Sequence, residues 1–404
     1  MSTLKERNTQ LCVYVDELCV VDLWAKETAD TDFDGDSLVN VFSSGKSLEA
    51  ILLAVLCDRG LLNYDAKIAV YWPEFGACNK GDTSVADLMR HEAGLAAFDI
   101  SLPIDALLPE QLRDNSIAPI IEQQNQRFRK GTDSRREYHA ITRGWIANEL
   151  FRRVEPAGRT MGQFLRAEIS QPLDLDVFIG LRDEELSRVS HVTPLGIGYQ
   201  AVQSIIPKAF GRKIELNVFQ IIARLTRFAF SMKDRSNKQA PTPFKDTKLL
   251  SRFDTPELCK GESPSAGAKC SARGLAKLAA VMANRGSFQD HQVLSETAHA
   301  TLHANPTTND MGLMRTTFSQ GGVALFSESS SSSAMDTALN NGREGYVGWF
   351  GLGGSIFQWH LEHRIGFAYV PTSLNVLDIV NERGKAYQDE VLRCVAGQRA
   401  DECS

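Results

Sequence analysis

The sequence predicts a mixed α/β fold in which an antiparallel β-sheet is flanked by helices and joined to a mostly helical lobe. Three observations carry this expectation. Both ends of the chain are strand-rich, the stretch from about 61 to 260 is helical in pattern, and one strongly apolar helix opens just after residue 42. An economical arrangement places an N-terminal hairpin and the C-terminal strands in one sheet, with the helical middle as a second lobe and a cleft between the two.

Residues 11–24, LCVYVDELCVVDLW, hold two apolar runs about Asp16-Glu17 and read as a β-hairpin. The acidic stretch 28–36 reads as a loop. In VFSSGKSLEAILLAVLCDRG, Leu48, Ile51, Leu52, Val55 and Leu56 recur at helical spacing, and Gly60 supplies a C-terminal stop. Ser43 and Ser44 therefore sit at the start of this helix. YHAITRGWIANELFRRV and TMGQFLRAEISQPL read as further helices, the second stopped by Pro172. Residues 236–264 are polar and proline-bearing and read as an exposed loop. SARGLAKLAAVMANRG is a helix ended by Gly286, and the serine run Ser329 to Ser333 is a mobile loop. GYVGWFGLGGSIFQWHLEHRIGFAYV reads as two strands joined near His360–Arg364, and NERGKAYQDEVLRCVA as a final helix. The expected organisation is one domain over 11–395, with a sheet lobe from 11–60 and 264–395 and a helical lobe at 61–263.

A chain of 404 residues with 43% hydrophobic and 23% charged residues has ample core for such a fold. Its formal net charge of -6, with no long basic run, gives no long-range attraction for nucleic acid or anionic lipid. The start MSTLKERNTQ does not read as a secretory signal, and no stretch approaches the roughly 18 apolar residues that span a bilayer. The eight cysteines form no C-x-x-C pair and read as free thiols, which points to a cytoplasmic location. The apolar, basic stretch 214–230 is compatible with a weakly lipid-facing lid, although a buried helix with arginines at its rim is the commoner meaning.

Chemistry concentrates at Ser43 and Lys46. Positions i and i+3 share a helix face, so an amine one turn after a serine reaches its hydroxyl. Serine is a poor nucleophile until a base takes its proton, and lysine is such a base only when burial or positive potential lowers its pKa. The free N–H groups of a helix N-terminus supply that potential and also favour an oxyanion. S-x-x-K occurs twice, at Ser2/Lys5 and Ser43/Lys46, and only the second opens an apolar helix. On spacing alone, a helix cap followed by a solvent-exposed lysine is the commoner meaning. Tyr138, just before a helix, is a candidate proton shuttle if lysine neighbours lower its pKa. Gly351, Gly353 and Gly354 follow Trp349 on an expected strand, where glycines often mark close approach of a ligand or backbone. His91, His139, His360 and His363 do not form H-E-x-x-H, and His360/His363 read as solvent-exposed turn residues. G-x-S-x-G is absent.

In order along the chain, these blocks resemble the serine β-lactamase-like superfamily, especially the esterase B-like carboxylesterases and eukaryotic β-lactamase-domain proteins. The blocks are the S-x-x-K segment, CDRGLLNYDAKIAVYWPEF, VADLMRHEAGL, REYHAITRGWIANEL, PSAGAKCSARGLAKLAAVMANRG and GWFGLGGSIFQW followed by GFAYV. The resemblance implies a β-lactamase/transpeptidase-like fold, Ser43 as nucleophile, Lys46 as its base and Tyr138 as the catalytic tyrosine. It puts Trp349-Phe350-Gly351 where lactamases carry K-T-G, and the oxyanion hole at the N–H groups of Ser43 and Leu352. It implies no metal or organic cofactor. Several positions depart from the family pattern. Gly45 stands where threonine is common, Ala140 where lactamases have an asparagine, Trp349 in place of the K-T-G lysine, and Lys130-Gly131-Thr132 where P-G-T is usual. Losing the lysine argues against carboxylate-bearing β-lactams, and Trp349 suits an apolar acyl or alcohol group. The expected function is ester hydrolysis of a small-molecule substrate through an acyl-enzyme. An acyltransferase or peptidase with the same nucleophile, and an inactive scaffold of this fold, remain the alternatives.

Overall fold

The computed structural model describes residues 6–30, 32–128, 136–207, 210, 219, 222, 241–245, 253–312, 314–327 and 333–402. Most of 214–230, the Lys130-Gly131-Thr132 segment and most of the serine run lie outside the described residues.

The two apolar runs at the N-terminus form β1 (Thr9–Val15) and β2 (Leu18–Ala25), turned at Asp16, which takes φ 54°. They join β3 (Thr307–Asp310), β4 (Arg315–Phe318), β5 (Ala324–Leu325), β6 (Tyr346–Phe350), β7 (Ile356–His360) and β8 (Ile365–Pro371) in one antiparallel sheet. Its order is β3-β4-β5-β6-β7-β8-β1-β2. β1 pairs directly with β8, Val13 opposite Phe367, so the N-terminal hairpin completes a sheet otherwise built from the last hundred residues. The expected single strand before His360 is two strands. The chain turns between them because Gly353 (φ 86°) and Gly354 (φ 121°) take a conformation that side-chain-bearing residues avoid.

Four helices matter for the site. α1 (Gly45–Asp58) is the apolar helix expected from its spacing, and every residue from Gly45 to Leu56 is buried. α2 (Thr142–Val154) packs against it. α3 (Ala272–Ala283) lies on the sheet over β8, β1 and β7, where the absence of a side chain at Gly366 lets its backbone close in at Ala276 and Ala280. α4 (Glu382–Glu402) covers the opposite face, with Tyr387, Val391 and Leu392 against the cluster that includes Ile356, Phe367 and Tyr369.

The middle of the chain is less purely helical than expected. Short strands at Leu38–Asn40, Val177–Phe178, Val189–Ser190 and Lys269–Cys270 form a small second sheet that ties it to the start of the nucleophile segment. The stretch 236–264 is not an exposed loop throughout, since Phe253, Leu258, Cys259 and residues 261–264 are buried. Nor is His360 solvent-exposed. It ends β7 opposite Tyr346, and its ring stands perpendicular to that tyrosine at 5.2 Å. Among the described residues no helix is long and apolar enough to cross a membrane.

Within the helical region Glu262 is buried beside α2. It accepts hydrogen bonds from Thr160 Oγ (2.5 Å), Asn148 Nδ2 (2.9 Å) and the Gly162 N–H (3.1 Å). Burial outweighs these and pushes its pKa from the ordinary 4.5 up to about 7. The folded protein therefore holds a proton there that the unfolded chain releases. The resulting stability is fully present below about pH 4.5 and is lost as pH rises through about 7, a span worth roughly 3 kcal/mol. Glu262→Gln is expected to remove this slope. Denaturant midpoints across that window check it, and an unchanged slope in the variant contradicts it.

Candidate active site

The chain reaches Ser43 through an unusual backbone. Phe42 has φ 46°, a left-handed conformation that costs a non-glycine residue about 1–2 kcal/mol. Its surroundings hold it there. The Phe42 ring meets Phe253 edge-on at 5.4 Å, the Val41 N–H donates to Ala268 O at 3.0 Å, and Val41 O accepts from Ser355 Oγ at 2.6 Å. The result is one tight helical turn over Phe42–Ser44 that runs straight into α1. Ser43 is the half-exposed residue in this otherwise buried run.

Lys46 follows one turn later and is 1% exposed, so the solvated-lysine meaning of the spacing does not apply. Its Nζ lies 3.4 Å from Ser43 Oγ, 2.6 Å from Ala140 O and 3.2 Å from Ser265 O. The two carbonyls only accept, so the amine must donate to both. A neutral amine has two hydrogens and one lone pair, which leaves the lone pair for the serine hydroxyl. Burial holds the Lys46 pKa well below the lysine range; Glu49 opposes this shift and Arg143 reinforces it.

Tyr138 OH donates to Ser43 Oγ at 2.6 Å and accepts from Trp349 Nε1 at 3.1 Å. Lys46 Nζ sits 4.9 Å from the centre of the tyrosine ring. The expectation that lysine would lower the tyrosine pKa is not met. Burial raises it above 10, and its hydrogen bonds with Ser43 and Trp349 offset only part of that rise. Tyr138 is thus a proton donor at neutral pH rather than a phenolate. Its ring is backed by His91 at 4.9 Å. His91 and His139 are buried side by side, with the His139 backbone N–H donating to His91 Nδ1 at 3.1 Å. Burial keeps both neutral, His139 with a pKa of about 3 and His91 well below the histidine range.

Trp349, on β6, reaches Tyr138 with its indole N–H and is otherwise enclosed by Phe318 (5.2 Å) and Phe350 (4.6 Å). Its backbone N–H donates to Ser47 Oγ at 2.9 Å, which docks β6 on α1. Gly351 packs on Val41 and Phe42, and a Cβ there would overlap Val41 O and Ser355 Oγ. Leu352 follows at the turn with its side chain 40% exposed. Asn381 Nδ2 clamps this turn through Gly351 O (3.0 Å) and Ser355 O (3.1 Å). Ser43, Lys46, Tyr138 and Trp349 thus form one hydrogen-bonded row, with Gly351 and Leu352 along its edge. His360 and His363 take no part in it.

Gly45, a departure from the family pattern, has a local cause. A Cβ at this position would overlap the Pro264 carbonyl oxygen, because the Pro264–Gly267 turn lies directly on the start of α1. The same turn delivers the Ser265 carbonyl to Lys46.

Sequence reasoning missed the layer behind Lys46. Glu49, Arg143 and Ser265 are each 0% exposed. Arg143 Nε donates to Glu49 Oε2 at 2.8 Å, and Ser265 Oγ donates to Glu49 Oε1. The one available signal was Glu49 lying three residues after Lys46 on a face otherwise apolar.

The model of the Beta-lactamase family matches residues 3–389 of this chain. Esterase/beta-lactamase LipL of Mycobacterium tuberculosis is 36% identical over 169 residues, which is 41% of this chain and 37% of that protein. The chain therefore matches little more than a third of that relative's length. The crystal structure of a family VIII carboxylesterase superposes with a TM-score of 0.71 at 22% identity, covering 95% of this chain and 91% of the other. A penicillin-binding protein homolog from Caulobacter crescentus superposes at 0.69 and 23%, covering 95% and 93%. These two likenesses establish the shared mixed α/β fold.

Proposed function

Because the chain belongs to the Beta-lactamase family, we propose that it is a serine hydrolase of the carboxylesterase type, acting through an acyl-enzyme on a small or apolar ester. The observation that carries this reading is the hydrogen-bonded row Trp349–Tyr138–Ser43–Lys46. In the first step Ser43 Oγ bonds to the ester carbonyl carbon and its proton passes to the lone pair of Lys46 Nζ. The backbone N–H groups of Ser43 and Leu352 stabilise the oxyanion, each such donor being worth about 3 kcal/mol in a dry site. The C–O bond to the alcohol then breaks, and the departing alkoxide takes the Tyr138 proton. The Lys46 ammonium restores that proton. Water then adds to the acyl carbon, giving its proton to the same groups, and the acid leaves Ser43.

Trp349, which bonds Tyr138 and packs on Phe318, favours an apolar acyl or alcohol group. The esterase and carboxylesterase names of the relatives point the same way. Transfer of the acyl group to another alcohol or an amine proceeds from the same intermediate.

The deciding experiment is labelling with a fluorophosphonate probe followed by peptide mapping. A single adduct on Ser43 supports the reading, and a folded protein that is never labelled rejects it. Tyr138→Phe is expected to lower turnover of simple alkyl esters, whose alkoxides are poor leaving groups, by roughly 10²–10³-fold, within the usual range for a positioned acid. Labelling should fall less, because fluoride leaves without a proton. Equal losses in both assays argue against an acid role.

A further inference from the structure

The hydrolase reading needs a lysine that is both neutral and aimed at Ser43, and on that reading rests a second layer of function. Lys46 Nζ is oriented by two carbonyls, those of Ala140 and Ser265. Neither belongs to α1, so something must fix both relative to it. The buried pair Glu49–Arg143 does so. Glu49 stands on α1 three residues after Lys46 and accepts the Ser265 hydroxyl, which in turn accepts the Gly144 N–H at 2.9 Å. Arg143, at the start of α2 and three residues after Ala140, donates from Nε to Glu49 at 2.8 Å. Its second terminal nitrogen donates to Lys46 O, also at 2.8 Å. The first terminal nitrogen donates to Met89 O at 2.9 Å and Gly322 O at 3.3 Å. A Cβ at Gly144 would lie 2.6 Å from Ser265 N and 2.7 Å from Glu49 Oε1, so the three elements touch with no space left between them.

We propose that Glu49, Arg143 and Ser265 are positioning residues, forming a buried bracket that holds α1, α2 and the Pro264–Gly267 turn so that the Lys46 amine is presented to Ser43. The bracket also balances charge. Lys46 is faced by Glu49 from its own helix, by Tyr138 and His139 from the segment entering α2, by Arg143 from α2 itself, and by His91 from the preceding loop. The two histidines are held neutral by burial. The carboxylate of Glu49 favours the ammonium form of Lys46, and the guanidinium of Arg143 opposes it. As a pair they leave the base free to be neutral.

This balance predicts shifts of opposite sign. Phosphonylation of Ser43 requires neutral Lys46, so its rate climbs with pH through the Lys46 pKa. In Glu49→Gln the unopposed Arg143 should move that rise to lower pH by about one unit. In Arg143→Met the unopposed Glu49 should move it to higher pH by a similar amount. Ser265→Ala, which keeps both charges, should lower the plateau rate about tenfold and leave the position of the rise unchanged. Rates are measured with the fluorophosphonate probe from acid to alkaline pH on the full-length protein, with circular dichroism to confirm folding. If Arg143→Met does not fold, the isosteric Glu49→Gln decides the matter. Opposite shifts, or the downward shift of Glu49→Gln alone, support the proposal. A labelled wild type whose rise is unmoved in Glu49→Gln, or moved the same way in both charge variants, overturns it while leaving the hydrolase reading intact. A folded wild type that is not labelled at any pH removes the hydrolase reading and this proposal with it.

Discussion

Ser43→Ala is expected to lower turnover of p-nitrophenyl butyrate by at least about 10⁴-fold while leaving the fold intact. The size follows from the covalent step. Without Oγ there is no acyl-enzyme, and what survives is whatever the oxyanion donors and binding give to direct attack by water. The fold should survive because Ser43 is half-exposed and its hydroxyl serves Tyr138 and Lys46 rather than the core. Steady-state rates beside circular dichroism check both halves. A variant retaining a tenth or more of the activity would show that another group attacks the ester.

Lys46→Met is expected to cost roughly 10³-fold or more in turnover and to abolish the rise of rate with pH, since methionine fills the space without a lone pair basic enough to take the proton. Lys46→Arg should not rescue it. A guanidinium stays charged at any working pH and offers only donors. The Ala140 and Ser265 carbonyls lose their donor in the methionine variant, so its thermal unfolding should be followed alongside. Activity within tenfold of wild type in Lys46→Met would reject the amine as base.

What the sequence made legible was local. The i, i+3 relation of Ser43 and Lys46 on an apolar helix, and the two apolar runs of the N-terminal hairpin, are properties of a few neighbouring residues, and both stand in the structure. Tyr138 and Trp349 came from the order of recognisable blocks, and the structure brings them together by an indole N–H that no spacing could announce. The bracket behind Lys46 was invisible for a related reason. Glu49 is 94 residues from Arg143 and 216 from Ser265, so only tertiary packing joins them. Two strands of the small sheet, Val177–Phe178 and Val189–Ser190, are too short to show a period, and they were absorbed into the helical middle. The glycines after Trp349 were assigned to strand contact, whereas Gly353 and Gly354 make a turn. Composition alone does not separate these two uses.

Gly45 ties the start of α1 to a segment far away in the chain. A threonine cannot simply be introduced at this position, because its Cβ would enter the space of the Pro264 carbonyl oxygen. Making room for it means rebuilding the 263–268 segment, and that segment carries one of the two carbonyls holding Lys46. The space at this position is set by a residue more than two hundred positions away, and anyone grafting a bulkier residue onto this chain here would need to move both pieces together.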